Sequence, residues 1–175
     1  MPLAVTLCLS PAAAVSVKRL LRTLADRLGV DDVLRLGYRP HVTLAVFPDE
    51  TPIPPIESAL RRLAADAPGL AVTLAGLAIF PGTPPVLWAA PAPSARLLAF
   101  HRHLLEAIPF EPHPHYREDH WVPHVTLSKE AHVPAGALLD AVVSAWSGPI
   151  GGYLDRLELV RFRPVGILFS QRLEA

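Results

Sequence analysis

A chain of 175 residues that is 51% hydrophobic and 18% charged carries enough apolar surface for a sizeable core, which excludes a disordered chain. Sixteen basic residues balance sixteen acidic ones, so the net charge is zero with histidine neutral. That excludes a broadly basic nucleic-acid coat and an acidic tail, and any bound anion must be met by local groups.

Residues 3–9 (LAVTLCL) read as a first strand, and Ser10-Pro11 as an N-cap followed by the first helical position. The helix runs over 11–28, with Val17, Leu20, Leu21, Leu24 and Leu28 on one face and Gly29 as its stop. A second strand spans 42–47, and a second helix 54–66 carries Ile56, Leu60 and Leu63 as its stripe. Residues 70–80 and 86–90 form a hairpin across Pro81-Gly82-Thr83-Pro84-Pro85. Ser94 caps a helix to about residue 108, and a loop rich in Pro and His follows. A strand over 125–128, a helix over 134–146 and strands over 153–162 and 165–173 complete the chain. Strands mixed with helices, repeated twice, predict an α+β domain with antiparallel hairpins, whose halves, 1–92 and 93–175, meet near residues 91–94.

Cys8 is the one cysteine, so no intrachain disulfide forms. The apolar N-terminus lacks a preceding Lys or Arg and is interrupted by Pro11, which argues against a signal peptide. The apolar run 70–92 is cut by its Pro-Gly turn, which argues against a membrane span. A cytoplasmic protein is the expectation.

Pro40-His41-Val42-Thr43-Leu44 and Pro123-His124-Val125-Thr126-Leu127 are one pentapeptide occurring twice, 83 residues apart. At this chain's composition, two His-Val-Thr-Leu runs arise by accident about once in a hundred thousand trials, so the match is an internal repeat. On a strand, alternate side chains share a face. His41 and Thr43 therefore point one way and Val42, Leu44 and Val46 point to the core; His124 and Thr126 behave likewise. If a pseudo-twofold axis relates the halves, two imidazoles and two hydroxyls face one another across a cleft. That set suits phosphodiester chemistry without a metal. One neutral histidine takes a proton, the other, protonated, gives one, and the threonines hold the non-bridging oxygens. With reference pKa values near 6.5, both states coexist without large shifts.

The paired motifs resemble the H-x-T/S-hydrophobic signatures of the 2H phosphoesterase superfamily, which includes RNA 2′,3′-cyclic phosphodiesterases and proteins called 2′-5′ RNA ligases. The order of elements is similar over essentially the whole chain. The resemblance implies a single bilobal domain over 1–175, with two antiparallel sheets, helices outside and a central groove. It also implies that His41 and His124 are catalytic, that Thr43 and Thr126 bind phosphate, and that neither a cofactor nor a metal is required. The function expected is hydrolysis of 2′,3′-cyclic phosphates on small nucleotides or RNA ends, with no membrane partner and no extended nucleic-acid footprint. The rivals are a nucleotide- or RNA-end-binding module without turnover, and 2′-5′ RNA ligation.

Further groove candidates come from position. Tyr38 and Trp121 can stack on a base, and Arg39 can meet a phosphate. By strand alternation Phe47 joins the face of His41, and Ser128 joins the face of His124; Lys129 points away unless the strand ends there. In the loop 112–120, His113, His115, Glu118, Asp119 and His120 match no standard zinc spacing, and a substrate lid is the better reading.

Overall fold

The computed structural model describes residues 2–65 and 67–174. Among them the chain runs β1 (Leu3–Leu9), α1 (Pro11–Leu28), β2 (His41–Phe47), α2 (Ile53–Ala64), β3 (Leu70–Phe80), β4 (Val86–Pro91), α3 (Ala95–Ala107), β5 (Val125–Ser128), α4 (Ala135–Val143), β6 (Ile150–Arg161) and β7 (Gly166–Arg172). Every expected element is present. The expected end of the second helix, at residue 66, lies outside the described residues.

The local signals act as sequence chemistry dictates. Gly29 ends α1 in the left-handed region at φ 66°, and its N–H reaches back to Ala25 O at 2.9 Å. Ser94 Oγ accepts from Leu97 N–H at 3.2 Å at the start of α3. Ser10 stands before Pro11 as expected, yet its Oγ accepts from Tyr153 N–H of β6 rather than from the helix. Strand β6 starts three residues before its expected start, through Gly151 and Gly152, which carry little strand signal. Gly152 is required where it stands: a Cβ there would lie 2.6 Å from Ala13 Cβ of α1.

The strands pair antiparallel in the order β2-β1-β6-β3-β4-β5, with β7 also on β6. Twelve-residue β6 pairs with β3 through Ile150–Leu154 and with both β1 and β7 through its second half. The two expected antiparallel sheets are thus two four-stranded groups, β2-β1-β6-β7 and β5-β4-β3-β6, fused through one shared strand. Pairing runs across residue 92: β6 and β7 join β1 and β2, while β5 joins β3 and β4. Strands β2 and β5, the outer members of the two groups, nevertheless pack against each other, so the sheet curls until they meet. Helices α1 and α4 pair outside one part of the sheet, and α2 and α3 outside the other. Strand β1 is buried throughout because both of its faces are covered. The two copies of the pentapeptide lie on the two strands that the curl brings together.

Candidate active site

Each copy of His-Val-Thr-Leu contains a β-bulge at the same place. Val5 of β1 pairs with Ala45 and Thr6 pairs with Thr43, which leaves Leu44 as the extra residue. Leu87 of β4 pairs with Ser128 and Trp88 with Thr126, which leaves Leu127. A bulge places two successive side chains on one side and reverses the alternation beyond it. Leu44 and Ala45 are both buried, as are Leu127 and Ser128.

The histidines precede the bulges and are held alike. His41 Nδ1 lies 2.8 Å from the carbonyl oxygen of Arg39, and His124 Nδ1 lies 2.8 Å from that of Val122. A carbonyl only accepts, so each Nδ1 carries hydrogen and donates it. Each Nε2 is thereby left with its lone pair when the ring is neutral, and with a second N–H when it is charged.

Both imidazoles line one groove of about 790 Å³, together with Thr43 and Thr126. Tyr38, Arg39 and Trp121 line it too. The ring of Tyr38 lies against His41, with centroids 4.8 Å apart. Trp121 stacks on His101 at 3.9 Å, and its Nε1–H donates to Thr43 O at 2.9 Å, so it ties the two copies of the motif together. Arg39 sits 3.9 Å from Asp155.

Phe47 and Ser128 fall elsewhere. Phe47 is 1% exposed in the core, and Val46 takes the groove position instead. Ser128 is fully buried, with its Oγ turned to Asp32, and Lys129 lines the groove. One cause explains both corrections: the bulges at Leu44 and Leu127 shift the alternation by one residue. Lys129 is fixed by Asp32, whose Oδ2 accepts the N–H groups of Lys129 and Glu130 at 2.7 and 2.9 Å.

Strand alternation also gave no hint of the two phenylalanines at the rim. The third strand of each group ends beside one. Phe80 meets the His124 ring at 5.1 Å, and Phe162, beneath Lys129 Nζ, meets Tyr38 at 6.4 Å. The Pro/His-rich loop supplies His115, Tyr116 and His120 to the groove wall. It is tied to β2 through His113 N–H, which donates to Val46 O at 2.7 Å. Buried His101 adds a second tie, with Nε2 within 3.1 Å of both Leu44 O and Tyr116 O. Among the described residues no cluster of three or more His, Cys, Asp or Glu is arranged to hold a metal ion.

The family model described as the 2′-5′ RNA ligase superfamily matches residues 10–165. The chain belongs to that superfamily. No protein of curated function matches the sequence. Among solved structures, TT0787 of Thermus thermophilus is similar in fold, with 20% identity and a TM-score of 0.66 over 100% of this chain and 99% of that one. E. coli LigT complexed with 3′-AMP is similar at 19% identity and a TM-score of 0.57, over 99% and 97%. A protein described only as a phosphoesterase is similar at 18% identity and 0.58, over 99% of each chain. These likenesses establish an α+β fold shared with the superfamily. No helix of the described residues is long and apolar enough to cross a membrane.

In this member of the 2′-5′ RNA ligase superfamily the groove holds both histidines uncharged near neutral pH. Burial pushes His41 down to about 4; the carbonyl of Arg39 opposes the shift, and the charges of His124 and Lys129 add to it. Burial also lowers His124, against the carbonyl of Val122. Lys129 is lowered by burial and by Arg163, with Asp32 pulling the other way. The expectation that both charge states coexist without large shifts therefore fails at His41, where burial is the main cause, and His124 is lowered in the same direction.

Proposed function

We propose that the groove is a metal-independent phosphoesterase site that opens 2′,3′-cyclic phosphates of nucleotides or RNA ends. The observation carrying this reading is the matched pair of imidazoles, each with Nδ1 committed to the backbone and Nε2 free for a proton. The superfamily membership supports it. LigT, which is similar in fold, has been crystallised in complex with 3′-AMP and with phosphate, and this adds support for a phosphate-bearing ligand here.

The chemistry follows from the groups present. A bound phosphodiester brings a negative charge between the imidazoles and favours protonation of one of them. The neutral imidazole takes a proton from water as the water oxygen bonds to phosphorus. The imidazolium gives its proton to the ribose oxygen as the phosphorus–oxygen bond to it breaks. Thr43 and Thr126 hydroxyls donate to the non-bridging oxygens, and the Lys129 ammonium adds positive charge, which matters most where charge develops. The product is a 2′- or 3′-phosphomonoester, and the two histidines end with their charges exchanged.

The test is to incubate the protein with 2′,3′-cyclic AMP, with and without EDTA, and separate the products by chromatography. The account expects a single phosphomonoester at a rate that EDTA leaves unchanged. Binding of the cyclic nucleotide without turnover would overturn it in favour of a binding module, and joining of RNA fragments without hydrolysis would favour ligation.

A further inference from the structure

Behind Tyr38, which lines the groove against His41, lies a buried carboxylate that the proposed reaction does not use. Glu158 of β6 is 5% exposed and stands opposite Thr6 of β1 and Ser170 of β7. Leaving a carboxylate unsatisfied at such a place is costly, and here it is met by donors. Tyr38 Oη donates to Glu158 Oε2 at 2.6 Å, and Ser170 Oγ donates to Oε1 at 2.8 Å. Because Tyr38 gives its proton to the carboxylate, Thr6 Oγ1, 2.7 Å away, donates in turn to the phenol oxygen. Arg156 donates to Ser170 Oγ at 3.1 Å, so the network is directed toward Glu158 from both sides.

The other end of Tyr38 touches His41. Its ring is tilted 56° against the imidazole, and with the hydroxyl anchored it cannot swing away. The rings against His124 are Phe80 and Trp88, and neither is anchored in this way: phenylalanine has no polar end, and Trp88 Nε1 has no hydrogen-bond partner among the described residues. The two motifs are alike in backbone and unlike in what lies beneath them.

We propose that Glu158 is a positioning residue for His41: through Tyr38 it braces the imidazole, and it places a negative charge under that ring and not under the ring of His124. This rests on reading the groove as a two-histidine phosphoesterase site, and it supplies the asymmetry such a site needs. The groups facing His41 are Cys8 from β1, Tyr38 from the approach to β2, Glu158 from β6, and His124 and Lys129 from across the groove. Cys8 is pushed up to about 12 by burial, and burial raises Tyr38 as well, so both stay protonated. His124 and Lys129 favour the neutral ring; Glu158 favours the charged one.

The experiment is an imidazole nitrogen NMR titration of the full chain as wild type, Glu158→Gln and Tyr38→Phe, paired with pH profiles of kcat and KM for 2′,3′-cyclic AMP. Gln retains an acceptor for Tyr38 and removes the charge. The expected result is that the proton affinity of His41 falls about two- to threefold in Glu158→Gln while that of His124 is unchanged. The limb of the kcat profile that follows His41 then moves to lower pH, with KM little changed. Tyr38→Phe keeps the ring but frees it, and kcat falls severalfold with KM held. An unaltered His41 titration in a folded Glu158→Gln protein overturns the proposal; if that variant does not fold, an unaltered His41 titration and kcat in Tyr38→Phe overturn it. Absence of turnover by the wild type would sink the phosphoesterase reading alone, because the titration needs no substrate.

Discussion

With Nδ1 bonded to a backbone carbonyl, each imidazole has one nitrogen left to work with, and its surroundings decide the charge there. His41→Ala and His124→Ala should each lower kcat about 1,000-fold or more for a cyclic nucleotide, since each removes one of the two proton carriers. Thr43→Val and Thr126→Val keep shape and remove one hydroxyl each; kcat/KM should fall about 10- to 100-fold in either. Histidine also links pH to folding. His41 is held near 4 in the folded protein and titrates near its ordinary value once unfolded, so between those two values the unfolded chain binds more protons. That contribution to stability is complete above about 6.5 and is lost as the pH falls toward 4. Urea midpoints measured from pH 7.5 to 4.5 should drop more for wild type than for His41→Gln; equal slopes would contradict the burial of a neutral ring. At this scale the site was legible because the pentapeptide occurs twice. The titration of His41 was not, since depth depends on which elements cover β2.

At the scale of the strand, the bulges at Leu44 and Leu127 do two things. They bury a second side chain after each leucine, Ala45 and Ser128, and they turn Val46 and Lys129 toward the groove. Leu44 is fully buried, and Leu44→Ala should cost about 2–5 kcal/mol in denaturant unfolding. Asp32→Ala strips the acceptor from two backbone N–H groups at the end of β5 and should cost about 1–3 kcal/mol while weakening substrate binding through Lys129. Period-two alternation is reliable only up to a bulge, which is why His41, Thr43, His124 and Thr126 were placed correctly and Phe47 and Ser128 were not. The ends of α1, β3 and β5 were readable from Pro, Gly and apolar runs. The glycine-rich start of β6 was not, because its pairing with β3 is a tertiary contact that local propensity does not encode.

Across the whole molecule, the curl of the sheet turns two distant copies of a pentapeptide into one site. Strand β6 serves both four-stranded groups, and the loop after α3 closes the seam between β2 and β5 through Trp121, His101 and His113. That duplication was visible in the sequence; the interleaving of first- and second-half strands was not, because pairing partners are set by the closed sheet. Zero net charge leaves recognition of the anion to groups in the groove. The kcat/KM for a cyclic mononucleotide should accordingly change less than about threefold between 50 and 200 mM salt, far below the response of a protein that tracks a nucleic-acid backbone. The most direct measurement is phosphorus NMR of a 2′,3′-cyclic nucleotide mixed with wild type, His41→Ala or His124→Ala. The account predicts that wild type converts the cyclic phosphate signal into one phosphomonoester signal while both variants leave it unchanged. Conversion by both variants at the wild-type rate would contradict it.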